Sequence, residues 1–379
     1  MDTKRQLLDL VGSSLWGTRV DLRGQEWSHE QYQTVMTLAR EQSVAGMVAQ
    51  GLVDSGVKLE LKDAKDVYSI LRNIKKINAI MDNAVTHLCQ ALNRKGFRHF
   101  IFKGQTIAAM YPDATLRQCG DIDFMVHPDD WDQALAYFRK VLPSSVHINH
   151  TDKDMQFQVN GVAFEMHYRM TSFAYPGNHK YWEKVVMPEV WNSLTDVRIG
   201  ETDVRTMDVT YYTLYAFIHI FKHLISDGIG LRHFCDWAVL LTRLTKSSPS
   251  LAPLEKHLEE LGLKKAFTGV GAVLTDSLGL PKESFPFEIT EEDHRRAPRL
   301  LENLFDMGNF GVNHEYHEEK GVIHALEHLG RIMQQSRRFY GYAPKEVLWR
   351  VPFMFKWWGE KAMRKLKKDV PGVDTSSVG

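Results

Sequence analysis

The sequence predicts an α+β protein, and three observations carry the prediction. Two short apolar runs, Phe100-Ile101-Phe102 and the stretch from Asp121 to Val126, have the length of strands rather than helices. Two alternating segments at 154–159 and 162–168 flank Asn160-Gly161, a dipeptide suited to the type I′ turn of a tight hairpin. On either side of this region the apolar residues recur at helical spacing. The chain therefore divides into an N-terminal helical region (1–75), a core of mixed strands and helices (76–205), a C-terminal helical region (206–370) and a short tail (371–379).

Each region has its own signals. In the first, Ser28 followed by Gln31 forms a capping box, and Tyr32, Val35, Met36, Leu38 and Ala39 continue at helical spacing. This region reads as a helical cap without chemistry. In the core, a helix over 78–93 leads into a strand at 99–102 that ends at Lys103-Gly104. A helix-like segment, 105–110, comes next. A strand over 121–126 and a helix over 129–141 follow, with Asp129 and Asp130 suited to that helix's electropositive first turn. Strands near 145–149, 154–159 and 162–168 form a meander. Asp208 is the N-cap of a helix over 209–225, which Asp227-Gly228-Ile229-Gly230 breaks. A helix over 231–244, a loop at Ser247-Ser248-Pro249-Ser250 and several helices reaching about 368 complete the chain. The tail, small and polar, is expected to be disordered.

Composition narrows the function. With 47 basic and 47 acidic residues in 379, the chain lacks the basic excess of a nucleic-acid binder, so long nucleic acid is not an expected partner. The three cysteines, Cys89, Cys119 and Cys235, are far apart and form no C-x-x-C, which suits a reducing compartment. Asp9 interrupts the N-terminal apolar residues too early for a signal peptide, and no apolar run approaches membrane-spanning length. The cytoplasm is the expected location.

The most informative residues are Asp121 and Asp123. In a strand, residues two apart share a face, and two carboxylates on one face make a poor core surface. A divalent cation resolves that conflict, because paired carboxylates can bridge Mg²⁺ ions that carry a nucleotide's phosphates. Gly120 immediately precedes the pair. Upstream, Gly104 would let backbone N–H groups approach a phosphate, and Lys103 could supply charge. Downstream, Glu165, His167 and Arg169 share one face of an alternating segment, opposite Phe164, Met166 and Tyr168. Glu165 is thus a candidate third carboxylate on a neighbouring strand.

At these residues the chain resembles the DNA polymerase beta-type nucleotidyltransferase superfamily. More narrowly, it resembles the bacterial uncharacterised nucleotidyltransferase family. The matching pieces are Lys103-Gly104, Tyr111-Pro112, 117–123, 165–169 and 219–236, and the resemblance spans about residues 5–350. It implies a polymerase beta-like core, a small mixed sheet with helices. It also implies transfer of NMP from an NTP, with ATP the expected nucleotide, Mg²⁺ or Mn²⁺ as cofactor and release of pyrophosphate. Asp121, Asp123 and Glu165 would be both the metal ligands and the catalytic residues. The usual Gly-Ser turn is Gly104-Gln105 here, which removes a hydroxyl from the phosphate clamp and shifts weight onto Lys103.

Other constellations have two readings. His167 would contact the acceptor, orient Glu165, or serve as a structural histidine. Arg117, four residues before Asp121, would reach the triphosphate or remain a solvated cation. On the apolar helix over 209–225, His219, Lys222, His223 and Ser226 form one polar stripe. The stripe would face the cleft, with Lys222 meeting β- and γ-phosphates and His223 beside it, or make structural hydrogen bonds. A zinc site at His219 and His223 lacks the intervening Glu of a metalloprotease motif. Arg232 would pair with Asp236 across a helical turn, but a comparable Arg and Asp follow the helix in the resembling family, which keeps Arg232 at the nucleotide. The bases and aromatics at 337–368, including Trp357, Trp358 and Lys361, would anchor the terminal helices or touch a lipid or nucleic-acid partner.

The expected protein is therefore a Mg²⁺-dependent nucleotidyltransferase acting on an NTP and an unidentified small-molecule, peptide or protein acceptor. The rival is a non-catalytic nucleotide-binding or partner-binding module that keeps the fold.

Overall fold

Among the residues described by the computed structural model (2–18, 20–142, 149–150, 154–226, 228–247, 249–308, 322–356 and 359), strands form two sheets. The larger sheet contains β1 (His99–Phe102), β2 (Asp121–Val126), β3 (Asn149–His150), β4 (Asp154–Val159) and β5 (Val162–His167), in the order β1-β2-β5-β4-β3. β2 and β5 pair parallel, and the other neighbours pair antiparallel, so the sheet is small and mixed. The turn between β4 and β5 has positive φ at both Asn160 (51°) and Gly161 (79°), as a type I′ turn requires.

The sheet's two faces have different neighbours. Ile101, Ile122, Phe124, Val126, Phe164 and Met166 point to one side, into a core with Met81, Val85 and Leu88 of the helix Leu61–Lys95 and Phe138 of the helix Trp131–Val141. Phe100, Phe102 and Met125 point to the other side and join the larger core of the helical regions. Asp121, Asp123 and Glu165 lie on this second face, under the helix Val209–Leu224. Asp208 caps that helix, accepting from Thr210 N at 2.9 Å.

The helix expected at 78–93 is the second half of a 35-residue helix, Leu61–Lys95, which runs through the division expected at residue 75. No Pro or Gly interrupts it before Gly96, whose φ of 73° ends it. Ser28 and Gln31 form their capping box. The helix expected at 231–244 extends to Ser247. Two elements were not legible in the sequence: the hairpin of β6 (Thr195–Ile199) and β7 (Thr202–Thr206), and the helical segment from Pro176 to Asn192. The hairpin's alternating charges pair across it, Arg205 with Asp196 and Arg198 with Asp203, so its pattern is weakly apolar. Most of the strand expected near 145–149, together with Asp227, Ser248, Trp357, Trp358, Lys361 and the tail, lies outside the described residues.

The helix Pro344–Leu348 anchors the C-terminal region to the loop after β5. The buried Glu346 carboxylate accepts hydrogen bonds from the backbone N–H of Ala174 and of Tyr175 (3.2 Å). No described helix is long and apolar enough to cross a membrane.

Candidate active site

The parallel register of β2 and β5 sets Asp123 beside Glu165, and the antiparallel register of β1 sets Phe102 on its other side. Asp121 precedes Asp123 by one pleat and shares its face. Asp123 is 2% exposed, and its Oδ1 is held by Lys103 Nζ at 2.8 Å and His167 Nε2 at 2.7 Å. His167 Nε2 also lies 3.4 Å from Glu165 Oε2, while Glu165 Oε1 accepts from Gln156 Nε2 at 3.0 Å.

The electrostatics follow from these contacts. Burial pushes Asp123 upward, but Lys103 and His167 outweigh it and hold the carboxyl well below the usual carboxylate range. Burial, Asp123 and Glu165 push Asp121 the other way, above its ordinary value, with Lys103 opposing. This face therefore carries more negative charge than its own cations neutralise. Asp123, Glu165 and His167 bring ligand atoms within 4.8 Å of one another. Two hard carboxylates at that spacing, beside a carboxylate destabilised by its neighbours, fit a divalent cation, and the His167 imidazole can join them only after giving up its proton.

The turn at Lys103-Gly104 is tight. Lys103 has φ 58° and ψ −154°, a region that side chains avoid, and a Cβ on Gly104 would meet Asp121 O at 3.2 Å. Gln105, which stands where the usual pattern has Ser, is buried and turned away, its Nε2 donating to Asp82 of the long helix.

Lys103, Gly104, Gly120, Asp121, Asp123 and Arg232 line a single cavity, which Tyr215, His219 and His233 close from the helical side. Arg232 donates from Nη1 to Gln118 O at 2.8 Å, and its buried Nε has no partner among the described residues. Arg117 also reaches the cavity wall, but it is buried and paired with Asp236, its Nε lying 2.7 Å from Oδ1. Asp236 is therefore Arg117's partner, and the helical-turn pair expected with Arg232 does not form. Lys222 and His223 lie outside the cavity lining. Three residues beyond His219, the helix carries Lys222 on toward the loop after β5, where Nζ donates to Ser172 Oγ at 3.3 Å. The His223 ring packs 4.6 Å from that of His219. Burial drives both His219 and His233 well below the usual imidazole range, so these two rings add no charge to the helical wall beside Arg232.

Three contributors were not legible as site residues. Tyr212 accepts the Lys103 N–H on its hydroxyl, while Tyr215 and His233 line the cavity. On an apolar helix the tyrosines carry only the signal of core aromatics, and only the strand pattern facing them reveals their role.

The family model described as uncharacterised nucleotidyltransferase matches residues 28–278, which include the whole sheet and every residue of this cavity. The chain belongs to this nucleotidyltransferase family. Membership implies a nucleotide substrate and nucleotidyl transfer. Among solved structures, the chain is similar to an antigenic nucleotidyltransferase-like protein from Paracoccidioides brasiliensis. The two share 15% identity at a TM-score of 0.33, over 52% of this chain and 92% of that one. No curated protein matches the sequence.

Proposed function

We propose that this nucleotidyltransferase moves NMP from an NTP, with ATP the first candidate, to a nucleophile on a small molecule, peptide or protein, releasing pyrophosphate. The observation that supports this most is the side-by-side placement of Asp121, Asp123 and Glu165 on one sheet face beneath a helix. Asp121 and Asp123, with Glu165, would hold Mg²⁺ or Mn²⁺. When bound, the ion would neutralise triphosphate oxygens and lower the pKa of the acceptor hydroxyl.

The chain's own groups do the rest. Glu165, on the flank of the acidic pair away from Lys103-Gly104, takes the acceptor's proton. Gln156 fixes the orientation of that carboxylate through the 3.0 Å hydrogen bond to Oε1, leaving the other oxygen toward His167. Arg232, held by no carboxylate among the described residues, meets the phosphate charge that develops as pyrophosphate departs. Neutral Tyr215, His219 and His233 close the cavity over Asp121 and Asp123. Positioning and electrostatics are sufficient for phosphoryl transfer, so no covalent enzyme intermediate is needed.

The balanced charge argues against long nucleic acid as acceptor, and the free thiols of Cys89, Cys119 and Cys235 suit the cytoplasm. The test is incubation with α-labelled NTPs, Mg²⁺ and fractionated cell extract. Label entering a discrete component in a Glu165-dependent manner supports the reading. Tight Mg-NTP binding with no labelled component in any fraction favours a non-catalytic module.

A further inference from the structure

Lys103 combines features that structural packing alone does not require. Its ammonium contacts Asp123 at 2.8 Å, with the negative field of Asp121 close by. Its backbone sits in a region where a non-glycine residue persists only if its surroundings hold it there. Those surroundings are identifiable. Tyr212 OH accepts the Lys103 N–H and is itself bonded to Thr106 Oγ1 at 2.7 Å, and Phe102 presents its ring 5.2 Å from Nζ. A strained residue, fastened at its backbone, thus aims one cation at the carboxylate best placed for a metal. The cavity around it has a volume of ≈ 40 Å³, room for water but far below the several hundred Å³ of a typical ligand site.

We propose that Lys103 is a specificity-determining residue: in the nucleotide-free protein its ammonium fills the place of a divalent ion on Asp123, and it transfers to the triphosphate only when metal and nucleotide arrive together. The proposal rests on the nucleotidyl-transfer reading above. Free metal arriving alone must displace Lys103 and His167 from Asp123 Oδ1 and face an ammonium with no anion to receive it. Free nucleotide arriving alone brings its phosphates against three carboxylates. The metal–nucleotide complex removes both obstacles, because its cation satisfies Asp121, Asp123 and Glu165 while its phosphates satisfy Lys103 and Arg232. Binding of the two parts is then strongly cooperative, and by linkage each raises affinity for the other by the same factor.

The test uses the full chain, Mn²⁺ as a spectroscopically visible metal and α,β-methylene-ATP as a nucleotide that cannot be turned over. Paramagnetic resonance and calorimetry measure free Mn²⁺, free nucleotide and the complex separately. In the wild type, each part alone should bind at least a hundredfold more weakly than in the presence of the other. In Lys103→Met, of similar length but uncharged, free Mn²⁺ should bind at least tenfold more tightly and the complex at least tenfold more weakly. Equal affinity for free Mn²⁺ in a natively melting Lys103→Met would overturn the proposal. If that variant does not fold, independent binding of the two parts to the wild type would overturn it as well. Failure of the wild type to bind the complex at all would sink the transfer reading itself. Tight binding of the complex alongside equally tight binding of free Mn²⁺ would sink only the role given to Lys103.

Discussion

Arg117 and Asp236 meet in a buried two-pronged ion pair, with Nε 2.7 Å from Oδ1 and Nη2 2.8 Å from Oδ2. The pair fastens the segment before β2 to the helix Leu231–Ser247, and Tyr111 OH adds a third bond to Asp236 at 2.7 Å. It thereby fixes Arg232 and His233, on the same helix, over the acidic strand. A guanidinium committed in this way is an anchor of the cavity wall. Arg117→Ala should cost about 3–5 kcal/mol, because it leaves a buried carboxylate uncompensated. Chemical denaturation would measure the loss, and a change below about 1 kcal/mol would contradict the anchoring role. Arg117→Met combined with Asp236→Leu should recover much of the stability, since neither charge then remains buried alone.

The role proposed for Glu165 separates binding from transfer. Glu165→Gln should retain substantial affinity for Mg-NTP, because Asp121 and Asp123 remain, yet should abolish transfer of label. Self-labelling or slow NTP hydrolysis serves as the readout until the acceptor is known. An unaltered rate would remove Glu165 from the site.

Much of this architecture was legible in the chain. Asp121 and Asp123 on one strand, Glu165 on another and the Asn160-Gly161 turn required only the period of two and a turn preference. What was not legible depended on distance in the fold. Nothing local tells Arg117 that Asp236 is its partner, and the i, i+4 spacing of Arg232 and Asp236 suggested a nearer one. Lys222 belonged to a readable polar stripe, but which end of that stripe overlies the sheet depends on how the helix docks. The β6–β7 hairpin escaped because its exposed charges obscure the apolar alternation.

His167 gives the metal-free protein a pH signature. Burial works against its charge, but hydrogen bonds to Asp123 and Glu165 prevail and raise its pKa to about 9. A group with a raised folded pKa stabilises fully below its unfolded value, near 6.5, and that contribution is lost as pH rises through 9. With chelator present, stability should therefore fall between about pH 6.5 and 9 by roughly 3 kcal/mol. His167→Gln should flatten the profile across that window. A wild-type profile already flat there would contradict the protonated assignment.

Glu346 holds the C-terminal region to the loop after β5 through the N–H groups of Ala174 and Tyr175. Glu346→Ala should leave those buried donors unsatisfied, at about 1–3 kcal/mol. Amide exchange should accelerate at 172–179 and 344–356 together while the sheet stays protected. Faster exchange at only one of the two segments would mean that other contacts hold them.

The central claim is that the acidic pair on β2 receives the metal-bound nucleotide. Calorimetric titration of Mg-ATP into the wild type, Asp121→Asn and Asp123→Asn, each first shown to keep a native circular-dichroism spectrum, tests it most directly. The account predicts saturable binding to the wild type and loss of most of that affinity in both variants. Wild-type affinity in either folded variant would contradict it.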